Sequence, residues 1–358
     1  MNIDIIEILQ KAVEQKVSDI FIISGCPLSF KTNRKISPIQ DHELSSYRLK
    51  PEDTRKCIEM IYSLSGNRSI ETFIKNGDDD FSFSVEGLCR FRCNTYMQRG
   101  SMAAVLRGVV FRLPDPKVLH IPDTVIELNT IKKGLVLITG SAGSGKSTTL
   151  ACIIDRINNT RNSHIITIED PIEYLHKHIL SIVSQREVPN DTNSYVYALR
   201  AALRQAPDVI LLGEMRDYET ITTAMTAAET GQLVLSTLHT IGAANTIDRI
   251  IDVFPPSQQQ QIKIQLSMVL QAVVSQQLIP AKDGTIVPAF EIMKVNPAIS
   301  NLIRESKVHQ IDNAIYSGAS EGMIAMDADI LRLYNEGIIS RENALIYASN
   351  PDTLKKKL

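Results

Sequence analysis

The residues best suited to chemistry in this chain are Gly140, Ser141, Ala142, Gly143, Ser144, Gly145, Lys146, Ser147 and Thr148. They satisfy every fixed position of G-x-x-x-x-G-K-[ST], a loop built to cradle phosphates. Its glycines let backbone N–H groups turn inward on phosphate oxygens, and the helix that follows adds a favourable dipole at its N-terminus. Lys146 can reach the β- and γ-phosphates, and the Ser147 hydroxyl can ligate Mg²⁺. A chance glycine-rich turn is the alternative. Against it, the apolar run Leu135-Val-Leu-Ile-Thr139 precedes the loop and the helix-forming stretch Thr149 to Ile157 follows it. The expected ligands are therefore ATP and Mg²⁺.

Further polar residues fall at the ends of apolar runs. His164-Ile-Ile-Thr-Ile168 ends in Glu169-Asp170-Pro171. Parallel strands deliver side chains to a ligand crevice at their C-terminal ends, so Glu169 and Asp170 can hold Mg²⁺ through waters or position an attacking water. An acidic turn before a proline is the plainer reading. Val209-Ile-Leu-Leu212 ends in Gly213-Glu214-Met215-Arg216-Asp217. Many phosphate-loop sites carry Asp then Glu there; with Gly213 at the first position, Glu214 is left to activate water and Mg²⁺ depends more on Ser147. Leu233 to Thr237 is followed by His239, placed for a γ-phosphate sensor or, alternatively, for simple packing. Arg92 and Arg107 lie far upstream. Solvated strand arginines are the ordinary reading of such a pair, and arginine fingers offered across a subunit boundary the functional one.

The elements that must position these groups can be read from periodicity. Leu135–Thr139, His164–Ile168, Val209–Leu212 and Leu233–Thr237 alternate with helical stretches, the pattern of a largely parallel α/β sheet. Upstream, Ile5, Ile8, Leu9, Ala12 and Val13 form a helical stripe. Asp19 to Ser24 and Ser29 to Thr32 read as strands, and Pro51 to Leu64 as a helix. Phe81 to Val85 and Leu88 to Tyr96 form a hairpin, with Cys89, Phe91 and Cys93 inward; Ala103 to Phe111 adds a strand carrying Arg107 and leading to Arg112. Prolines at 114, 116 and 122 mark a break, which sets the expected organisation as 1–112, a small α+β domain; 113–130, a linker; and 131–358, the nucleotide-binding domain. From Gln258 onward the chain reads as mostly helical, through Ile262, Leu266, Val269, Leu270 and Val273.

Bulk composition narrows the classes. Among 358 residues, 44% are apolar, 22% charged, and the net charge is −2. Two or three domains fit that length. The near-neutral charge and the lack of a basic stripe argue against nucleic acid. No apolar run approaches the roughly 18 residues of a membrane span, and the acidic N-terminus lacks a signal-peptide n-region. A cytoplasmic protein without direct membrane insertion is expected. Five cysteines without a Cys-x-x-Cys pair leave neither a zinc site nor a disulfide framework.

Together, Gly140–Thr148, Ile168-Glu-Asp-Pro-Ile-Glu-Tyr174, Leu203-Arg-Gln-Ala-Pro-Asp-Val-Ile-Leu-Leu-Gly-Glu-Met-Arg-Asp217 and Ala227–Asp252 resemble the secretion ATPase superfamily. That superfamily holds the type II and type IV secretion ATPases and the type IV pilus motors. The likeness extends from Ser18-Asp19 through Arg90-Phe-Arg-Cys-Asn94 to Gly337-Ile-Ile-Ser-Arg-Glu-Asn-Ala344. Ala298-Ile-Ser-Asn-Leu-Ile-Arg-Glu305 resembles a segment of the pilus retraction branch. The resemblance implies a homohexameric ring whose subunits pair a PAS-like N-terminal domain with a RecA-like ATPase domain and bind nucleotide between them. It also implies that Glu214 is the catalytic glutamate, that Glu169-Asp170-Pro171 is the aspartate box and that His239 is the second histidine of the histidine box. Arg92 and Arg107 match the paired arginines of the N-terminal domain. An inner-membrane platform protein and other type IV pilus machinery are the implied partners. Pilus assembly, secretion and a weakly hydrolysing nucleotide sensor are the rival functions. Two positions depart from the pattern: Ser300 stands for an arginine, and Gln232 for the first histidine of the histidine box, which removes any titration there.

Overall fold

The computed structural model describes residues 3–32, 35–41, 44–66, 68–109 and 113–358. Two compact units divide the chain: the N-terminal 112 residues with Glu173–Leu175, and Leu113–Ile172 with His176–Leu358.

In the first unit a helix, Ile5–Glu14, starts where Asp4 caps it, its Oδ1 accepting the Ile6 N–H at 2.9 Å. Six strands follow: β1 (Asp19–Ile22), β2 (Ser29–Thr32), β3 (Lys35–Pro38), β4 (Asp78–Ser84), β5 (Arg90–Gln98) and β6 (Ser101–Val109). They form one antiparallel sheet in the order β3-β2-β1-β6-β5-β4. The alternation read from the sequence is its core pattern, with Phe81, Phe83, Cys89, Phe91 and Cys93 all buried. The helices Pro51–Leu64 and Ile70–Asn76 complete the unit. Sequence reading missed β3, which is exposed at every position, and Ile70–Asn76, which buries only Phe73. Neither carries a periodic apolar signal. Phe111 and Arg112 lie outside the described residues.

The second unit is built on β7 (Gly134–Thr139), β8 (His164–Glu169), β9 (Ile182–Glu187), β10 (Val209–Leu212), β11 (Leu233–Leu238), β12 (Leu270–Pro280) and β13 (Ile286–Lys294). The sheet order is β13-β12-β7-β11-β10-β8-β9, parallel except for β13. β7, β10 and β11 are buried at every residue. That explains their continuous apolar runs, since helices cover both faces of such a sheet. One expectation is corrected here. The helix Pro256–Val269 stops before Leu270, so Leu270 and Val273 belong to β12 and the chain turns back through β13. β12 is buried on both faces through its middle, Ala272 to Gln276, and so has no period-two signature there; its apolar residues happened to extend the preceding helical stripe. The proline-bearing stretch 113–130 also holds structure. Ile121, Val125 and Leu128 are buried in one cluster with Leu150, Ile153, Ile154 and Ile157. Among the described residues, no helix is long and apolar enough to cross a membrane.

Candidate active site

The phosphate loop leaves β7 at Thr139 and enters a 15-residue helix, Lys146–Thr160, whose first turn has no side-chain cap. The N–H groups of that turn are therefore left for a ligand. Gly140 has φ +143°, and a Cβ there would lie 2.2 Å from the main-chain oxygen of Gln276 and 2.6 Å from Ser144 Oγ. Only glycine fits so close to β12. Lys146 is 8% exposed and donates from Nζ to the carbonyls of Gly140 at 2.9 Å and Ser141 at 2.8 Å. Its ammonium thus lies across its own loop. Among the described residues, the buried hydroxyls of Thr139 and Ser144 have no hydrogen-bond partner. Leaving such groups unmade costs about 1–3 kcal/mol each. Orphaned donors in a glycine-lined loop are what a phosphate's oxygens would satisfy, so the residues fit a nucleotide.

No group of three or more His, Cys, Asp or Glu among the described residues is placed to hold a metal. Ser147, half-buried in the helix's first turn, is the loop hydroxyl that could offer an oxygen to Mg²⁺.

Next to β7 in the sheet stand β11, β10 and β8 in that order. Their C-terminal ends bring His239, Glu214 and Glu169 to one edge, neighbouring strands being about 4.8 Å apart. Thr237 Oγ1 donates to the Gly213 carbonyl at 2.6 Å, and the Met215 N–H donates to the Thr237 carbonyl at 3.1 Å. These bonds tie the end of β10 to that of β11. The Glu214 side chain is 15% exposed; its Oε2 forms an ion pair with Arg216 Nε at 2.6 Å and lies 3.4 Å from His239 Nε2. Glu169 is fixed differently, its Oε1 accepting from Thr167 Oγ1 at 2.6 Å and Gln185 Nε2 at 3.3 Å.

Tyr195 was not singled out in the sequence, yet it stands among these carboxylates. Burial pushes its hydroxyl up, and the charges of Glu214, Asp170 and Glu169 push it further in the same direction. Its hydroxyl lies 2.9 Å from where a Cβ on residue 213 would sit. A side chain at 213 would require Tyr195 to shift. Tyr195, Asp170, Glu214, Arg216 and Asp217 share a cavity of about 280 Å³. The helix Tyr195–Ala202 carries two tyrosines, Tyr195 and Tyr197, and nothing in the sequence set the first apart.

Other expected residues are not gathered at this edge. Gln232 immediately precedes β11, at the opposite end of that strand from His239, and accepts from Thr230 Oγ1 at 2.8 Å. Arg92 and Arg107 belong to the first unit, where they are direct partners across β5 and β6. Arg92 pairs with Asp80 at 2.8 Å, both side chains nearly half exposed. Arg107 donates to Asp19 Oδ1 from Nε at 2.9 Å and Nη2 at 2.7 Å. Burial alone would raise Asp19, but the bonds from Arg107 and Ser18 outweigh it and hold the carboxyl below its usual range.

A buried strand, a phosphate loop and a helix, followed on adjacent parallel strands by Glu and His, define a RecA-like P-loop ATPase. The model of the family described as "Type II/IV secretion system protein" matches residues 1–336, and the chain belongs to that family. It is 43% identical over 349 residues to "Type IV pilus retractation ATPase PilT" of Pseudomonas aeruginosa, covering 98% of this chain and 99% of that protein. To "Type IV pilus ATPase PilU" of the same organism it is 39% identical over 350 residues, covering 98% of this chain and 90% of that protein. To "Twitching motility protein" of Neisseria gonorrhoeae it is 39% identical over 351 residues, covering 98% of this chain and 92% of that protein. Among solved structures, "Crystal Structure of the Pilus Retraction Motor PilT and Bound ADP" superposes with a TM-score of 0.90 at 47% identity, over 99% of this chain and 100% of that one.

Proposed function

We propose that this chain is the ATPase motor of type IV pilus retraction, working as a homohexamer in the cytoplasm against an inner-membrane platform protein. The near full-length likeness to a retraction ATPase carries this reading. Deleting the gene should leave excess surface pili and abolish twitching; loss of pili would instead assign the chain to assembly.

In the proposed reaction, the loop Gly140–Thr148 holds the triphosphate and Lys146 leaves its loop carbonyls for phosphate oxygens. Ser147, with Glu169 and Asp170 acting through water, would hold Mg²⁺, which would supply positive charge against the charge developing on the phosphates. Glu214 exchanges its bond with Arg216 for the attacking water and takes up its proton. His239, already beside Glu214, senses the γ-phosphate. Arg92 and Arg107 of a neighbouring subunit then face the phosphates as fingers, and domain closure and release transmit the work. Glu214→Gln should lower turnover by about 10²–10⁴-fold with ATP binding retained. Steady-state hydrolysis at the unmutated rate would remove Glu214 from this role.

A further inference from the structure

β12 neighbours β7 in the sheet, and Ser275 pairs with Thr139, the last residue before the phosphate loop. Ser275 and Gln276 are 0% and 3% exposed. Consecutive strand residues face opposite sides, so the two reach different loops. Gln276 turns to the phosphate loop. Its Oε1 accepts from Thr149 Oγ1 at 2.7 Å. Its Nε2 lies 2.9 Å from where a Cβ on Gly145 would sit, and its main-chain oxygen makes the close approach to Gly140. Ser275 turns to the other side, where its Oγ accepts the Gly242 N–H at 2.9 Å. Gly242 lies three residues beyond His239, and the next N–H, of Ala243, is held by buried Glu291 at 2.7 Å. A buried amide and hydroxyl are costly where an apolar side chain would fill the same space, unless their bonds are made. Here the Gln276 amide is bonded to Thr149, the helix residue next after the phosphate loop, and the Ser275 hydroxyl to Gly242 in the turn after His239.

We infer that the Ser275–Gln276 pair sets the placement of the two phosphate-facing loops, Gln276 acting as a positioning residue for Gly140–Thr148 and Ser275 for the turn that carries His239. The inference rests on the ATPase reading of this edge. It assigns separable consequences to two adjacent residues. Losing the amide disturbs nucleotide grip, whereas losing the hydroxyl disturbs the sensing turn and hence the chemical step.

The test uses the purified full-length chain with a fluorescent ADP analogue and steady-state ATP hydrolysis. Gln276→Met should weaken analogue binding and raise KM by about tenfold. Thr149→Val breaks the same bond from the helix side and leaves β12 untouched; it should weaken binding similarly, and the double variant should be less than additive. Ser275→Ala should lower kcat severalfold with KM nearly unchanged. Melting temperatures separate folding from function. If these variants lose thermal stability but keep wild-type affinity, KM and kcat, the pair is core packing alone and the inference is overturned. Additive effects of Gln276→Met and Thr149→Val would overturn the role of their bond. A wild-type chain that does not hydrolyse ATP at all would overturn the ATPase reading instead.

Discussion

The two sheets place the polar side chains expected of a nucleotide site differently. In the seven-stranded sheet, β7, β11, β10 and β8 run parallel and end on one edge, so their last residues converge. Among the described residues, that edge leaves the hydroxyls of Thr139 and Ser144 without partners, and it places Arg216 and His239 on one carboxylate, Glu214. In the six-stranded antiparallel sheet, Arg92 and Arg107 stand side by side, yet each is met by an acid of its own unit, Asp80 or Asp19. Orphaned hydroxyls beside a glycine-lined loop suit phosphate oxygens. Satisfied arginines can act elsewhere only by exchanging one anion for another.

The strongest way to break this contrast is to ask whether the arginines make that exchange. Arg92→Ala and Arg107→Ala should each lower turnover of the assembled protein by about 10³-fold if they serve as fingers. Nucleotide affinity of the isolated subunit should not change if each arginine serves the site of a neighbouring subunit. Turnover that survives both substitutions would leave the pair as sheet chemistry only.

A second substitution acts on the parallel edge. In Gly140→Ala the new methyl meets the Gln276 carbonyl at 2.2 Å, and both groups are backbone-anchored. The loop must therefore shift away from β12, and a displacement on the order of an ångström costs about a hundredfold where phosphate is gripped. Calorimetric titration should show ADP affinity falling by that factor while amide exchange across β5 and β6 stays as in the wild type. Unchanged affinity would show that the close approach is not needed for binding.

How much of this was open to sequence reading follows the same divide. The parallel edge was legible because each strand is a buried run ending in a chemically distinctive residue, as in Val209–Leu212 before Gly213-Glu214. Its supports were not. Gln276 and Ser275 sit in a stretch, Leu270 to Pro280, whose apolar residues continued a helical stripe, so the strand and its two polar residues were hidden together. Tyr195 was equally silent, since its meaning comes from Gly213, 18 positions on in the chain and adjacent in space. In the antiparallel sheet, period-two alternation disclosed the hairpin and its inward face. It could not disclose that Asp19 holds Arg107, a contact between residues 88 apart.

The smallest expected effects distinguish the two arginines from each other. The Arg92–Asp80 pair is exposed on both sides, and Arg92→Ala should cost less than about 1 kcal/mol. Asp19 is only 7% exposed, so Arg107→Ala leaves a buried carboxylate with Ser18 and a distant Lys31 at 3.8 Å. That should cost roughly 1–2 kcal/mol, the exposed guanidinium being partly screened by water. The pH dependence has a definite sign. The folded-state pKa of Asp19 is lowered, so its contribution is fully present above the unfolded value near 3.9 and is lost as pH falls through the folded one. The gap between wild type and Arg107→Ala should therefore narrow in acid. Amide exchange at β1 and β6 in the full chain, compared at pH 6 and at about pH 3, reads this locally; a gap of constant size would mean that Arg107 stabilises the sheet by packing its stem rather than by holding Asp19.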